Sequence, residues 1–151
     1  MDYEEYEIKV KEEREMNETL LDEFREYLKS SGLKPKTIKR HISNINFYIN
    51  EYLLYEDINS AEDGVYRIDM YLGYWFIKKA MWASVGTIRT NAASLKKFYK
   101  FMYENEYTSK EELEYMEKDI KDNLETWIKK MKRYDNLNVE NPWSESGLYD
   151  Y

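Results

Sequence analysis

Apolar residues along this chain return every three or four positions, in five separate stretches. Leu20, Phe24, Tyr27 and Leu28 share one face at helical spacing, which predicts a first helix over residues 18–29 with Asn17 or Thr19 as its cap. Ser30, Ser31 and Gly32 end it, the glycine supplying a left-handed turn. Pro35 then opens a second helix in the first turn, where its missing N–H costs nothing, and Ile38, Ile42, Ile45, Ile49 and Leu53 form its apolar stripe. Residues 57–64 read as a loop. A third helix is predicted over residues 65–79, with Ile68, Leu72, Trp75 and Phe76 inward. Ser84 caps a fourth to about residue 104, with Ile88, Ala92, Leu95, Tyr99 and Met102 as its stripe. Ser109 and Glu112 have the spacing of a capping box, in which the hydroxyl takes an N–H of the first turn and the carboxylate reaches back. They open a fifth helix over residues 109–133, where Leu113, Met116, Ile120, Leu124, Ile128 and Met131 recur. No convincing strand pattern and no repeat is present, so the expected architecture is all-α.

The ends differ from this pattern. Residues 1–16 are acidic with Tyr3, Tyr6, Ile8 and Val10 interspersed, and read as a frayed helix or as an arm docked on the main domain. Residues 135–151 hold Asn, Pro142, Ser and Gly147 without periodicity and read as a flexible tail, its last aromatics and acids from Trp143 onward forming a docking peptide or a disordered end. The division expected is an N-terminal segment 1–16, one helical domain 17–134 and a tail 135–151. A chain of 151 residues is long enough for one core without staples.

Composition narrows the chemistry. Zero cysteine removes disulfides, thiolate metal sites and cysteine nucleophiles, and fits a reducing compartment. Residues 1–6 have neither a basic start nor an apolar run, and the longest apolar run, residues 70–77, is far short of a bilayer span. A cytoplasmic protein without membrane contact is expected.

Charge changes the picture most. The formal net charge is −7, yet residues 30–50 contain no acid, only Lys34, Lys36, Lys39 and Arg40 beside His41. Residues 70–103 are equally free of acid and carry Lys78, Lys79, Arg89, Lys96, Lys97 and Lys100. These four and six cations give +10, so the remainder of the chain sums to −17. A polyanion meets a local basic face before it meets the mean charge. At 100° per residue, Lys36, Arg40 and Ser43 lie opposite the isoleucines of the second helix, with Lys39 on the flank. On the fourth helix Arg89, Lys96 and Lys100 line one flank with Ala93 between them, and Lys97 projects away from the core. Short Ser43, Thr90 and Ser94 leave room for a phosphate backbone and offer hydroxyls to it.

Order and spacing add a resemblance. Leu21, Phe24, Tyr27 and Leu28, then Gly32, Leu33, Thr37 and Ile38, resemble the opening of the N-terminal core-binding, or SAM-like, domain of tyrosine recombinases and phage integrases. Ser84, Thr87 and Ile88 followed by Leu95, Lys96, Phe98, Tyr99, Phe101 and Met102 match a later helix of that family. The likeness spans residues 18–106. It implies a SAM-like bundle of four helices, here with an added long C-terminal helix and flexible ends, and it lays the second and fourth helices against DNA. Those are the two acid-free stretches. The family's catalytic domain carries two arginines, a lysine, a His-x-x-Arg and an attacking tyrosine. Here the single histidine, His41, is followed by Ile42, Ser43 and Asn44 inside the core-binding segment. The expectation is therefore a non-catalytic, orphan DNA-binding module, set in a mobile element and modulating recombination or integration.

The candidate DNA-contacting set is Lys34, Lys36, Thr37, Lys39, Arg40, Ser43, Ser84, Thr87, Arg89, Thr90, Lys96, Lys97 and Lys100. Double-stranded DNA is the expected partner, with a full-length recombinase as a second one. His41 reads as a core-edge residue. Lys129, Lys130, Lys132 and Arg133 read as cations completing the last turn of the fifth helix. Asp57, Asn59, Asp63 and Gly64 superficially suggest a calcium loop, but Ala61 holds a position that needs an oxygen ligand. No metal, cofactor, catalytic residue or small-molecule substrate is expected. The competing reading is an acidic helical module for protein–protein interaction that has lost DNA binding.

Overall fold

In the computed structural model, which describes residues 1–140, five helices pack around one core, and there is no strand among the described residues. Helix α1 (Tyr3–Ser30) begins far earlier than its apolar stripe predicts. The Asp2 carboxylate accepts the Glu5 N–H at 2.8 Å, and Glu4 and Glu5 favour the positive end of the helix dipole. The acidic N-terminal segment is thus helix rather than a separate arm. Neither Asn17 nor Thr19 caps it. Asn17 is buried in mid-helix, its amide donating to the Ile49 carbonyl at 3.3 Å and to Asn50 Oδ1 at 2.8 Å. The Tyr6 hydroxyl, donating to the Leu54 carbonyl at 2.6 Å, fastens the first turns to the end of the next helix. At the other end Gly32 takes φ 79° and the Leu33 N–H reaches back to the Leu28 carbonyl, as expected for a glycine stop.

Helix α2 (Pro35–Asn46) continues as a π-helical segment, Phe47–Tyr52, in which the Leu53 N–H bonds the Tyr48 carbonyl five residues back. The wider turn lets Tyr48, Ile49, Leu53 and Leu54 all enter the core. A loop and a 3₁₀ turn (Glu62–Tyr66) follow, held by two buried tyrosines. The Tyr48 hydroxyl donates to the Gly64 carbonyl at 2.5 Å, and the Tyr99 hydroxyl to the Ala61 carbonyl at 2.7 Å. Helix α3 is composite, running through Ile68–Met70, a π-helical Tyr71–Trp75 and Phe76–Lys79.

Helices α4 (Val85–Glu104) and α5 (Lys110–Glu140) both start on capping boxes. Ser84 and Thr87 exchange bonds of 3.0 and 2.8 Å. Ser109 and Glu112 do so at 3.1 and 2.9 Å. Helix α5 does not stop near residue 133. It carries on to Glu140, so the tail expected from residue 135 is helical over its first six residues. Lys129, Lys130, Lys132 and Arg133 therefore do not sit in a last turn, and the dipole account of them fails. The remainder of that tail, including the docking-peptide reading of Trp143 and its neighbours, lies outside the described residues.

Helix α4 is central, packing on α5 and α2 and more lightly on α1, where Phe24 meets Phe98 at 5.2 Å and Phe101 at 5.4 Å. Trp127 anchors α5 and was not in the predicted stripe. It is fully buried, lies over Gly73, and donates from Nε1 to Asp69 Oδ1 at 2.7 Å. A Cβ on Gly73 would stand 2.6 Å from the Trp127 ring, so this crossing needs glycine for close approach.

Candidate nucleic-acid interface

Helices α2 and α4 run antiparallel and are stitched by one buried polar knot. Ser94 is fully buried, and its hydroxyl donates to the Thr90 carbonyl at 3.0 Å. It accepts from Asn44 Nδ2 at 3.0 Å, and His41 Nδ1 lies 2.7 Å away. A hydroxyl has one proton and two lone pairs, so this arrangement places the imidazole proton on Nδ1 and satisfies all three groups. His41 is buried, as expected for a core-edge residue. Its pKa lies below the ordinary value because burial disfavours the imidazolium, and because Arg40 and then Lys97 repel it. Ser94 is therefore closed to phosphate, against the sequence expectation.

That pair of repulsions locates the basic face. Arg40 stands on α2 and Lys97 on α4, and both lie close enough to His41 to act on it. At 100° per residue Lys36, Arg40 and Ser43 fall within roughly 60° on α2, and Gly86, Thr90, Ala93 and Lys97 within the same sector on α4. Both rows lie opposite the buried stripes, which include Ile38, Ile45 and Ile49 on one helix and Ile88, Leu95 and Tyr99 on the other. The two rows form one solvent-facing seam. Lys36, Arg40, Ser43, Ala93 and Lys97 are exposed on it, and Thr90 is half-buried with its hydroxyl on the Thr87 carbonyl.

The other candidates are distributed around this seam. Arg89, Lys96 and Lys100 are exposed along the outer flank of α4. Lys34 is the residue before the first turn of α2, and Thr37 is half-buried one turn further on. The hydroxyls of Ser84 and Thr87 are committed to the cap of α4. Lys39 and Ser43 border an open groove of about 830 Å³ whose α1 wall carries Glu18, Asp22, Arg25 and Lys29, so that side of the face is of mixed charge. None of the eight cations in the candidate set forms an ion pair with the described residues. Their charge stays available to an outside anion.

Acid collects behind the core. Tyr99 projects about 200° away from Lys97 around α4. Its phenol is held well above the ordinary pKa, first by burial and then by Glu62, Asp63 and Glu112. Glu13 on α1 is raised by burial and by the same Glu62 and Asp63. Three elements thus gather carboxylates on the side of α4 that faces away from the seam, and the molecule is polarised. Lys78 and Lys79, cations of the second acid-free stretch, sit on α3 instead, over the rings of Tyr74 at 4.5 Å and Tyr55 at 5.8 Å. Lys130 and Arg133 line a small groove shared with Lys78 and Tyr74, away from the seam.

Among the described residues no group of three or more His, Cys, Asp or Glu side chains is placed to hold a metal. No helix among them is long and apolar enough to cross a membrane. The family described as phage integrase, N-terminal SAM-like domain, matches residues 20–109. No curated protein and no solved structure matches the chain.

Proposed function

Because the chain belongs to the phage integrase N-terminal SAM-like domain family, with residues 20–109 matched, we propose that it binds duplex DNA across the α2–α4 seam and makes no chemical attack on the strand itself. The observation that carries this reading is the tie of His41 and Asn44 to Ser94, which sets the exposed cations of the two acid-free stretches side by side. Exposed cations on that face release counterions from phosphate, while Glu13, Glu62, Asp63 and Glu112 behind the core repel DNA from their own side. The fixed register of the two helices matters as much as the charge, because phosphate contacts position a protein only if their spacing is held.

The setting of the buried tyrosines supports the non-catalytic part of this reading. An attacking tyrosine needs a lowered pKa or an adjacent base, and cations around the phosphate. Tyr48, Tyr71 and Tyr99 are instead buried, and burial drives their phenols well above the ordinary pKa. His41 is buried, with its pKa lowered by that burial, and is engaged with Ser94. The setting we propose is recombination or integration in the cytoplasm, with a full-length recombinase as the protein partner.

A salt series of mobility shifts on mixed duplexes tests this directly. If roughly four to six phosphates are neutralised, log K falls against log salt with a slope of about −4 to −5. Denaturing gels of the same mixtures show no protein covalently joined to DNA. Absence of binding to any duplex at low salt would move the function to a protein partner, for which the carboxylate side of the molecule offers the surface.

A further inference from the structure

We infer that the turn between α3 and α4 is a second DNA-contacting element, an apolar tip of Met81 and Trp82 that packs against base and sugar edges in a groove beyond the end of the cationic seam. This inference rests on the DNA-binding reading above and concerns a different kind of contact.

Exposure is the first observation. Met81 is 98% exposed and Trp82 54%, two large apolar side chains in succession on a protein that buries most of its others. Single exposed apolar residues are ordinary, but an adjacent pair on a fixed turn is a surface feature with a cost in water. Rigidity is the second. The Ala80 N–H bonds the Phe76 carbonyl at 3.0 Å and the Ala83 N–H bonds the Ala80 carbonyl at 3.1 Å. The Thr87 hydroxyl lies 3.2 Å from the Trp82 carbonyl, tying the turn to the first turn of α4. The tip is held out by its backbone, so little conformational freedom is lost when it is covered.

Position identifies the occupant. Phe47 follows Ser43 by one turn, half-buried against Tyr71 and Phe76, and Trp82 packs edge-on against it at 4.9 Å on the side of solvent. The seam therefore runs from Arg40 and Lys97 at one end to Phe47 and Trp82 at the other. Exposed Gly86 lies at the start of the α4 row, where the lack of a side chain allows close backbone approach. The tip continues the proposed DNA face, and no acid occurs within residues 70–103 to repel phosphate from it. Met and Trp offer phosphate no charge. What they can do on a duplex is fill a groove against sugars or wedge a base step, as apolar side chains do in minor-groove proteins.

Contact of this kind has its own salt signature, because it releases no counterions. Met81→Ser and Trp82→Ala are each expected to lower duplex affinity roughly tenfold at every salt concentration, with lines parallel to wild type. Lys97→Ala, the electrostatic comparison, is expected to make the line shallower by about one unit of slope. Met81 touches so little that Met81→Ser retains the wild-type melting temperature, and it decides the matter even if Trp82→Ala loosens Phe47. A Met81→Ser line that superposes on wild type, or one that changes slope, overturns the inference while leaving DNA binding in place. So would a dimer of the free protein that Met81→Ser dissolves, since that assigns the turn to a protein contact. Absence of wild-type binding removes both readings together.

Discussion

Replacing Arg40 and Lys97 together by glutamate is expected to lower duplex affinity by two to three orders of magnitude and to leave the melting temperature nearly unchanged. Two unit charges about 4 Å apart interact by ~1 kcal/mol in water-like dielectric, and each reversal exchanges an attraction for a repulsion. Two reversals then sum to about 4 kcal/mol, roughly a thousandfold, and salt screening brings this toward a hundredfold. Both side chains are exposed and opposite the buried stripes, where substitutions cost within about ±0.5 kcal/mol of stability. The matched control reverses Lys118 and Lys121, exposed on α5 among acids. Lys118 pairs only with Asp122 at the surface, an interaction of little value to the fold. Equal weakening by both double variants would mean that affinity follows net charge and not the seam.

Gly64→Ala is expected to be the most damaging small change in the fold. A Cβ there would stand 2.0 Å from the Tyr99 hydroxyl, 3.0 Å from Tyr48 Cε2 and 3.1 Å from Leu53 Cδ1. The Tyr99 ring is fully buried and its hydroxyl is bound to the Ala61 carbonyl, so it has nowhere to move without breaking that bond. Overpacking of this kind costs about 1–3 kcal/mol, and a buried hydroxyl left unpaired about 1–3 kcal/mol more. At about 2–4 °C per kcal/mol for a chain of this size, the melting temperature falls by roughly 10 °C or more. Tyr99→Phe in the same chain removes the obstructing oxygen and is expected to recover part of the loss, a non-additivity that a thermal melt detects. A Gly64→Ala protein that melts with wild type would show that the loop does not dock between Tyr48 and Tyr99.

Helix-forming stretches were legible because their apolar spacing and caps act locally. The Ser84 start, the Ser109–Glu112 box and the Gly32 stop all depend on residues a turn apart, and all three were readable in the chain. Contacts that join distant segments were not. Asn17 resembles a cap in sequence and becomes a buried link only because Ile49 and Asn50 lie across from it. Trp127 follows Leu124 by three residues and belongs to the inward face, yet only Gly73 makes room for so large a ring. Residues 3–16 lack a strong apolar stripe and are helical because Asp2 caps them and Tyr6 and Arg14 tie them to the far end of α2.

The candidate site divides in the same way. Acid depletion and helical spacing placed Lys36, Arg40 and Lys97 outward without any structure. What spacing could not reveal is that His41, Asn44 and Ser94 lock the two rows into one register, which removes Ser94 from the surface. Phe47 begins the π-helical segment that spacing did not predict, and its contact with Trp82 shows that the seam ends in aromatic side chains.

Titrating ¹⁵N-labelled protein with a short duplex and following its amide resonances tests the seam as a DNA face most directly. The result predicted is a contiguous set of shifted amides over residues 36–47 and 82–97, with α5 and the first half of α1 unchanged. Shifts concentrated on α1 or α5, or spread evenly over the chain, would contradict it.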